Sequence, residues 1–200
     1  SKGISAIPKI FTSYYYEDEQ GYKYEYRPLT LTSFAIEHQF FGESPAVSHF
    51  INLLFYFFCS LVFVFVLKQL FAGLSEVFII IPALLFMVHP LHTEVVASIK
   101  NRDELLSLLF ALLAFYQSLL FFKNGGLWRV LLITIFLISG LLSKSSSISY
   151  LFIIPLAGVL MPQTEFKKIG VVLLSVSFVL LIFMALRDYP LTWVFYLLPA

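Results

Sequence analysis

Polar and apolar positions in this chain come in blocks, not in alternation. Residues 1–44 mix charges, tyrosines and short apolar stretches, and from Pro45 onward uncharged runs follow one another between brief polar breaks. A helix needs about 20 mostly apolar residues to cross a hydrocarbon layer of about 30 Å. Six runs are read as crossings: 45–67, 73–88, 105–122, 130–143, 145–161 and 169–186. The second is short, only twelve residues between Glu76 and His89 unless it starts near Gly73, and Pro82 inside it predicts a kink. The fourth starts behind Trp128 and Arg129, an interfacial anchor pair. The fifth is interrupted by Pro155 and Gly158, and the apolar tail 191–200 ends before it could cross. The pattern predicts an all-α polytopic membrane protein of about six transmembrane helices. Residues 1–44 form an extramembrane loop region with interfacial segments, and residues 45–200 one transmembrane helical domain, incomplete at both ends.

Composition supports this picture. Hydrophobic residues make up 60% and charged residues 12% of the 200 residues, whereas about a quarter of a soluble domain is charged. With 23 Phe and 11 Tyr, the chain cannot be disordered, and a soluble fold of this size could not hide its apolar surface. The net charge is +1 and no basic run exceeds Lys167-Lys168, so nucleic acid is not a partner. Cys59, the single cysteine, is a small buried hydrophobe in an apolar run. The chain begins at Ser1 without a signal-like segment and is read as a processed chain or a fragment.

Six alternating crossings sort the loops onto two faces. One face collects residues 1–44, the loop 89–104, the loop 143–147 and the segment after residue 186. It carries all four histidines and ten of the twelve acids. The other collects 68–76, 123–129 and 162–168. Near span ends, Lys and Arg favour this second, simpler face by five to four, which places it in the cytoplasm and the polar face outside it or in a lumen.

The densest polar segment is His89-Pro90-Leu91-His92-Thr93-Glu94, followed by Lys100-Asn101-Arg102-Asp103-Glu104. Ionisable groups at a membrane border are costly unless water, a partner charge or a ligand compensates. Sugar or phosphate contact is one reading of the segment. Metal ligation by the two histidines and a carboxylate is another, with a divalent cation as candidate cofactor, although Pro90 would disturb a helix aligning the histidines. The plainer alternative is an interfacial loop with satisfied histidines. Asn101 or Asp103 can cap the next helix, with Glu104 in its first turn. Arg27 before Pro28 offers a planar fork for phosphate or carboxylate; the alternative is an exposed loop arginine. Glu17-Asp18-Glu19 is a solvated acidic run or a cation site. Lys144 can hold a lipid phosphate or snorkel to the interface. Asn52 is read as a helix–helix hydrogen bond.

Four segments occur in order: YRPLTLTSF (26–34), SHFINLLFY (48–56), HPLHTEVVASIKNRDELLSLLF (89–110) and LLSKSSSISYLFIIPL (141–156). Together they resemble the transmembrane and tetratricopeptide-repeat O-mannosyltransferase family of the GT-C superfamily. The resemblance implies a transferase that moves mannose from a polyprenyl-phosphate-linked donor in the membrane lipid to Ser or Thr of a protein acceptor. It also implies an active face turned away from the cytosol, in a bacterial inner membrane or endoplasmic reticulum. Arg27, His89, His92, Glu94, Arg102 and Lys144 match motif positions. Arg27, Arg102 and Lys144 would neutralise the carrier phosphate as it leaves. Glu94 or Asp103 would hold sugar or acceptor hydroxyls, and His89 and His92 would shape the pocket. The chain departs from the family where Ser145 replaces Glu, Asn101 replaces Gly and Tyr56 replaces His. The family's acidic general base is expected in a first lumenal loop, upstream of this chain, and its tetratricopeptide repeats downstream. Two other readings stand beside the transferase: a non-catalytic scaffold of the same fold, and a transporter with broken spans.

Overall fold

The computed structural model describes residues 3–12, 16–17, 23–24 and 26–160. The sixth run (169–186), the tail 191–200, Lys167, Lys168, Arg187, Asp18 and Glu19 lie outside the described residues. In chain order the elements are a 3-10 turn Gly3–Ala6, α1 (Ile7–Ile10), β1 (Tyr16–Glu17), β2 (Lys23–Tyr24), α2 (Pro28–Phe41), α3 (Pro45–Leu70), α4 (Val77–Met87), α5 (Pro90–Ala97), a 3-10 turn Ile99–Asn101, α6 (Arg102–Asn124), α7 (Leu127–Ser143), a 3-10 turn Ser145–Ser149 and α8 (Tyr150–Leu160). The two strands pair antiparallel, Tyr16 with Tyr24 and Glu17 with Lys23. The chain divides into two units, Ser1–Ile148 and Ser149–Ala200. α8, with Pro155 inside it, belongs to the second, and all packing below is within the first.

α3 turns polar and small residues inward and aromatic residues outward, and α6 buries a row of small and polar residues beside its leucines. On α3 the buried side includes Ser48, Asn52, Cys59 and Ser60, while Phe50, Leu53, Phe57 and Phe65 are exposed. On α6, Asp103, Ser107, Ala111, Ala114 and Ser118 form a buried row at three- and four-residue spacing. Small and polar residues on the inner face let helices approach closely where lipid removes any hydrophobic drive to associate.

Bonds at the helix ends fix the directions. Arg102, at the start of α6, reaches Ser48 and Asn52 near the start of α3. At the far end, Lys123 Nζ donates to the carbonyl and side chain of Gln69, at 3.0 and 2.9 Å. The two helices therefore run parallel. α7 returns antiparallel: Arg129 at its start bonds Gln117 at 3.2 Å, and Lys144 just past its end pairs with Glu104. Gly125 and Gly126, at φ of 66° and 103°, make the reversal, a conformation only glycine adopts without strain. α4 lies between α3 and α6 in chain order, with the Phe86 ring tilted against Phe63 at a centroid distance of 4.5 Å.

Among the described residues, two helices are long and apolar enough to cross a membrane, Pro45–Leu70 and Ile99–Asn124, or three if the bent pair α4 and α5 counts as one. This is fewer than the five crossings expected over the same residues. The run at 73–88 gives a helix of only 11 residues, about 16 Å at the α-helical rise. The helix continues through Pro82, and the 51° bend falls instead between α4 and α5. α7 has 17 residues, about 26 Å, which is short of the hydrocarbon thickness. Pro90 also differs from expectation. It occupies the first turn of α5 and starts that helix, because a missing N–H costs nothing there.

This arrangement predicts sidedness. In a background lacking Cys59, cysteines placed at the exposed positions Glu43 and Glu94 react with an impermeant maleimide from one side of the membrane, and a cysteine at Glu76 from the other. Labelling of 43 and 94 from opposite sides overturns the helix directions given above.

Candidate functional site

Proline at the first turn of α2 places Arg27 at its N-terminal boundary. Arg27 is buried and pairs with Asp103 in the first turn of α6. The next residue back, Arg102, is fully buried and turns to other partners. Its Nη1 lies 2.6 Å from Glu37 Oε2 of α2, its Nε donates to Asn52 Oδ1 at 2.9 Å, and its Nη2 donates to the Ser48 carbonyl at 3.2 Å. The Phe34 ring covers the guanidinium face at 4.0 Å. Ser48 Oγ donates to Glu37 Oε1, and Asn52 Nδ2 donates to the Ser98 carbonyl at 3.1 Å. Asn52 thus makes the inter-element bond read from its position in the sequence.

Lys144 pairs with Glu104 and lies 3.5 Å from Asp103. Asp103 Oδ1 also accepts the Glu104 N–H at 2.9 Å. Asn101 stands at the helix boundary without a side-chain cap bond, so the capping expected of it is absent. Thr30 joins α2 to the end of α7 through the Ser143 carbonyl at 3.2 Å. Three cations, Arg27, Arg102 and Lys144, therefore face three carboxylates, Glu37, Asp103 and Glu104. Each of the three sequence-predicted phosphate ligands has a carboxylate partner.

The histidine segment lies beside this cluster in an open groove of about 450 Å³, bordered by His49, Leu53, Tyr56, His89, His92 and Val96. His89 caps α5 by accepting the Leu91 N–H at 3.3 Å. His92 Nδ1 lies 2.7 Å from the Phe86 carbonyl and 3.1 Å from Tyr56 Oη, which donates to the Met87 carbonyl at 2.9 Å. Tyr56 thus stands against the His92 ring, with ring centroids 5.6 Å apart. Glu94 is exposed on α5. No three His, Cys, Asp or Glu side chains among the described residues group closely enough to hold a metal ion.

Glu37 was absent from the sequence-predicted site. Its signal was a single acid, beside His38, in an otherwise uncharged stretch from Pro28 to Phe41. Ser48 and Asn52, one turn apart in an uncharged run, were the matching half.

Comparison with known proteins bears on these motifs. Human protein O-mannosyl-transferase TMTC3 is 36% identical over 124 residues, covering 61% of this chain and 13% of that protein. Human TMTC4 is 38% identical over 102 residues, 45% of this chain and 14% of that protein. The chain is related to the TMTC protein O-mannosyl-transferases. Drosophila melanogaster Tmtc1 extends the similarity to 68% of this chain, at 31% identity over 138 residues and 16% of that protein. The chain thus spans well under a fifth of the length of these TMTC relatives. No family model and no solved structure matches it.

A buried ion pair that loses one partner leaves an uncompensated charge, at a cost of about 3–5 kcal/mol, whereas replacing both by apolar residues is often neutral. Arg102→Met and Glu37→Leu are each expected to lower the thermal unfolding temperature of the detergent-solubilised protein sharply. The double variant should recover most of the loss. Additive losses overturn the pairing.

Proposed function

We propose that this chain is part of the membrane domain of a GT-C type glycosyltransferase that moves mannose from a polyprenyl-phosphate carrier to Ser or Thr hydroxyls of a protein. In this reading the whole protein has further crossings and tetratricopeptide repeats, and the histidine-bearing end faces the lumen or the extracytoplasmic side. One observation supports it most. The four segments that carry the family resemblance are far apart in sequence, yet residues from each converge at one end of the helices: Arg27, Ser48, Asn52, Arg102, Asp103 and Lys144.

In the reaction an acceptor hydroxyl attacks the anomeric carbon, the bond from that carbon to the phosphate oxygen breaks, and the phosphate leaves with the negative charge. The hydroxyl proton passes to a base, assigned to the upstream lumenal loop that the resemblance implies. Lys144 is the cation best placed to meet the leaving phosphate: its side chain is 23% exposed and that of its partner Glu104 42%, so phosphate can replace Glu104 without leaving the lysine uncompensated. Glu94, exposed and acceptor-only when ionised, holds a sugar or acceptor hydroxyl. Arg27, Arg102 and Asp103 act as positioning residues, because their charges are spent on buried partners. That same charge balance favours a second reading, a scaffold of the same fold without activity.

The test uses the full-length protein with polyprenyl-phosphate mannose and acceptor peptides. Lys144→Met and Glu94→Gln are each expected to lower transfer about tenfold or more, equivalent to about 1.4 kcal/mol of transition-state contact, with unfolding temperatures near wild type. Transfer at the wild-type rate in both variants overturns the site assignment. No transfer by the wild-type protein favours the scaffold.

A further inference from the structure

Two imidazoles in the groove have their protons assigned by backbone partners, and the assignments are opposite. A carbonyl oxygen only accepts, so His92 Nδ1, 2.7 Å from the Phe86 carbonyl, carries the proton and donates. In the neutral ring, Nε2 is then a bare acceptor. Tyr56 Oη packs against the same Nδ1 while donating to the Met87 carbonyl, and the Phe86 ring lies 4.5 Å from the imidazole, which fixes the ring orientation. His89 is the reverse case. Its Nδ1 accepts the Leu91 N–H, so its proton sits on Nε2, which becomes a donor. The ring centroids are 5.6 Å apart, and both rings border the groove. Among the described residues neither Nε2 has a partner.

A donor beside an acceptor suits a ligand group that is both, and a hydroxyl is such a group. A phosphate dianion offers acceptors only and would meet the His92 lone pair. Leu53, Val96 and the Tyr56 ring supply apolar surface for the C–H face of a ring, and the groove volume falls within the range of about 300–1,000 Å³ usual for small-ligand sites. We propose that His89 and His92 form a donor–acceptor pair that binds an alcohol group of a hexose and does not bind the carrier phosphate. The biological meaning of the pair rests on the transferase reading above; the hydrogen-bond logic does not.

Diethyl pyrocarbonate acylates a bare imidazole nitrogen, and mass spectrometry of peptides locates the product. In the full-length protein His92 is expected to react faster than His89, although His89 is the more exposed of the two. Methyl α-mannoside at about ten times its dissociation constant slows the His92 reaction about tenfold by mass action, and methyl phosphate leaves it unchanged. A serine peptide that protects where methyl mannoside does not would assign the hydroxyl to the acceptor instead, and would overturn the hexose proposal. So would protection by methyl phosphate, or protection by nothing. His92→Asn keeps a donor toward Phe86 but has no atom at the Nε2 position. It is expected to unfold at the wild-type temperature and to lose methyl mannoside binding, read by saturation-transfer NMR. Should that variant fail to fold, the protection pattern of the wild-type protein still decides. Sugar transfer without protection removes this proposal alone, and protection without transfer removes the transferase reading alone.

Discussion

The guanidinium of Arg102 sets the depth at which three helices meet. It lies at the first turn of α6 with no solvent exposure, and an unpaired charge there would cost several kcal/mol. Its partners come from the third turn of α2 and the second and third turns of α3. None of these contacts survives a one-turn slip of either helix, about 5.4 Å along its axis. The polar atoms inside this end of the bundle are therefore a mutual requirement. Glu37 needs Arg102 and Ser48, Arg102 needs Asn52, and Asn52 in turn holds the Ser98 carbonyl at the end of α5.

The apolar runs made α3 and α6 legible, because an uncharged stretch longer than 20 residues has few alternatives to a spanning helix. α2 was not legible by the same rule. Its buried positions include Thr30 and Glu37, and its exposed ones Ile36, Phe40 and Phe41. A periodicity read for a water-facing helix turns this one inside out. The crossing count exceeds the number of helices long enough to span among the described residues for a related reason. Run length measures how much apolar chain is available, but says nothing of where the backbone turns. The bend at 88–89 arises where His89 caps one helix and Pro90 starts it, a local event that counting apolar residues does not register.

The candidate site was legible by residue type and not by pairing. Arg102 and Asp103 are neighbours in sequence, but successive helical residues point about 100° apart. One therefore reaches Glu37 and the other Arg27 and Lys144. A reading along the chain placed all the cations in one pool facing a phosphate. The fold divides them between two groups of carboxylates, Glu37 around Arg102 and Asp103 with Glu104 around Arg27 and Lys144. Glu37 supplies the missing anion, and its distance in sequence from Arg102 is what hid it.

The polar groups that face the groove or the solvent sit elsewhere, on α5 and at its cap: His89, His92 and Glu94. An eight-residue helix is too short to hold its own shape in water, so its orientation must come from its ends. At the start it is held by the His89 cap and by the bonds of Tyr56 and His92 to the last carbonyls of α4. At the other end Ser98 hangs from Asn52, which is itself oriented by Arg102. The closed, charge-balanced cluster and the open histidine groove are thus joined through one amide side chain. A change at Arg102 would reach the groove without touching any residue that borders it, which is how a residue with no surface of its own can still govern the chemistry beside it.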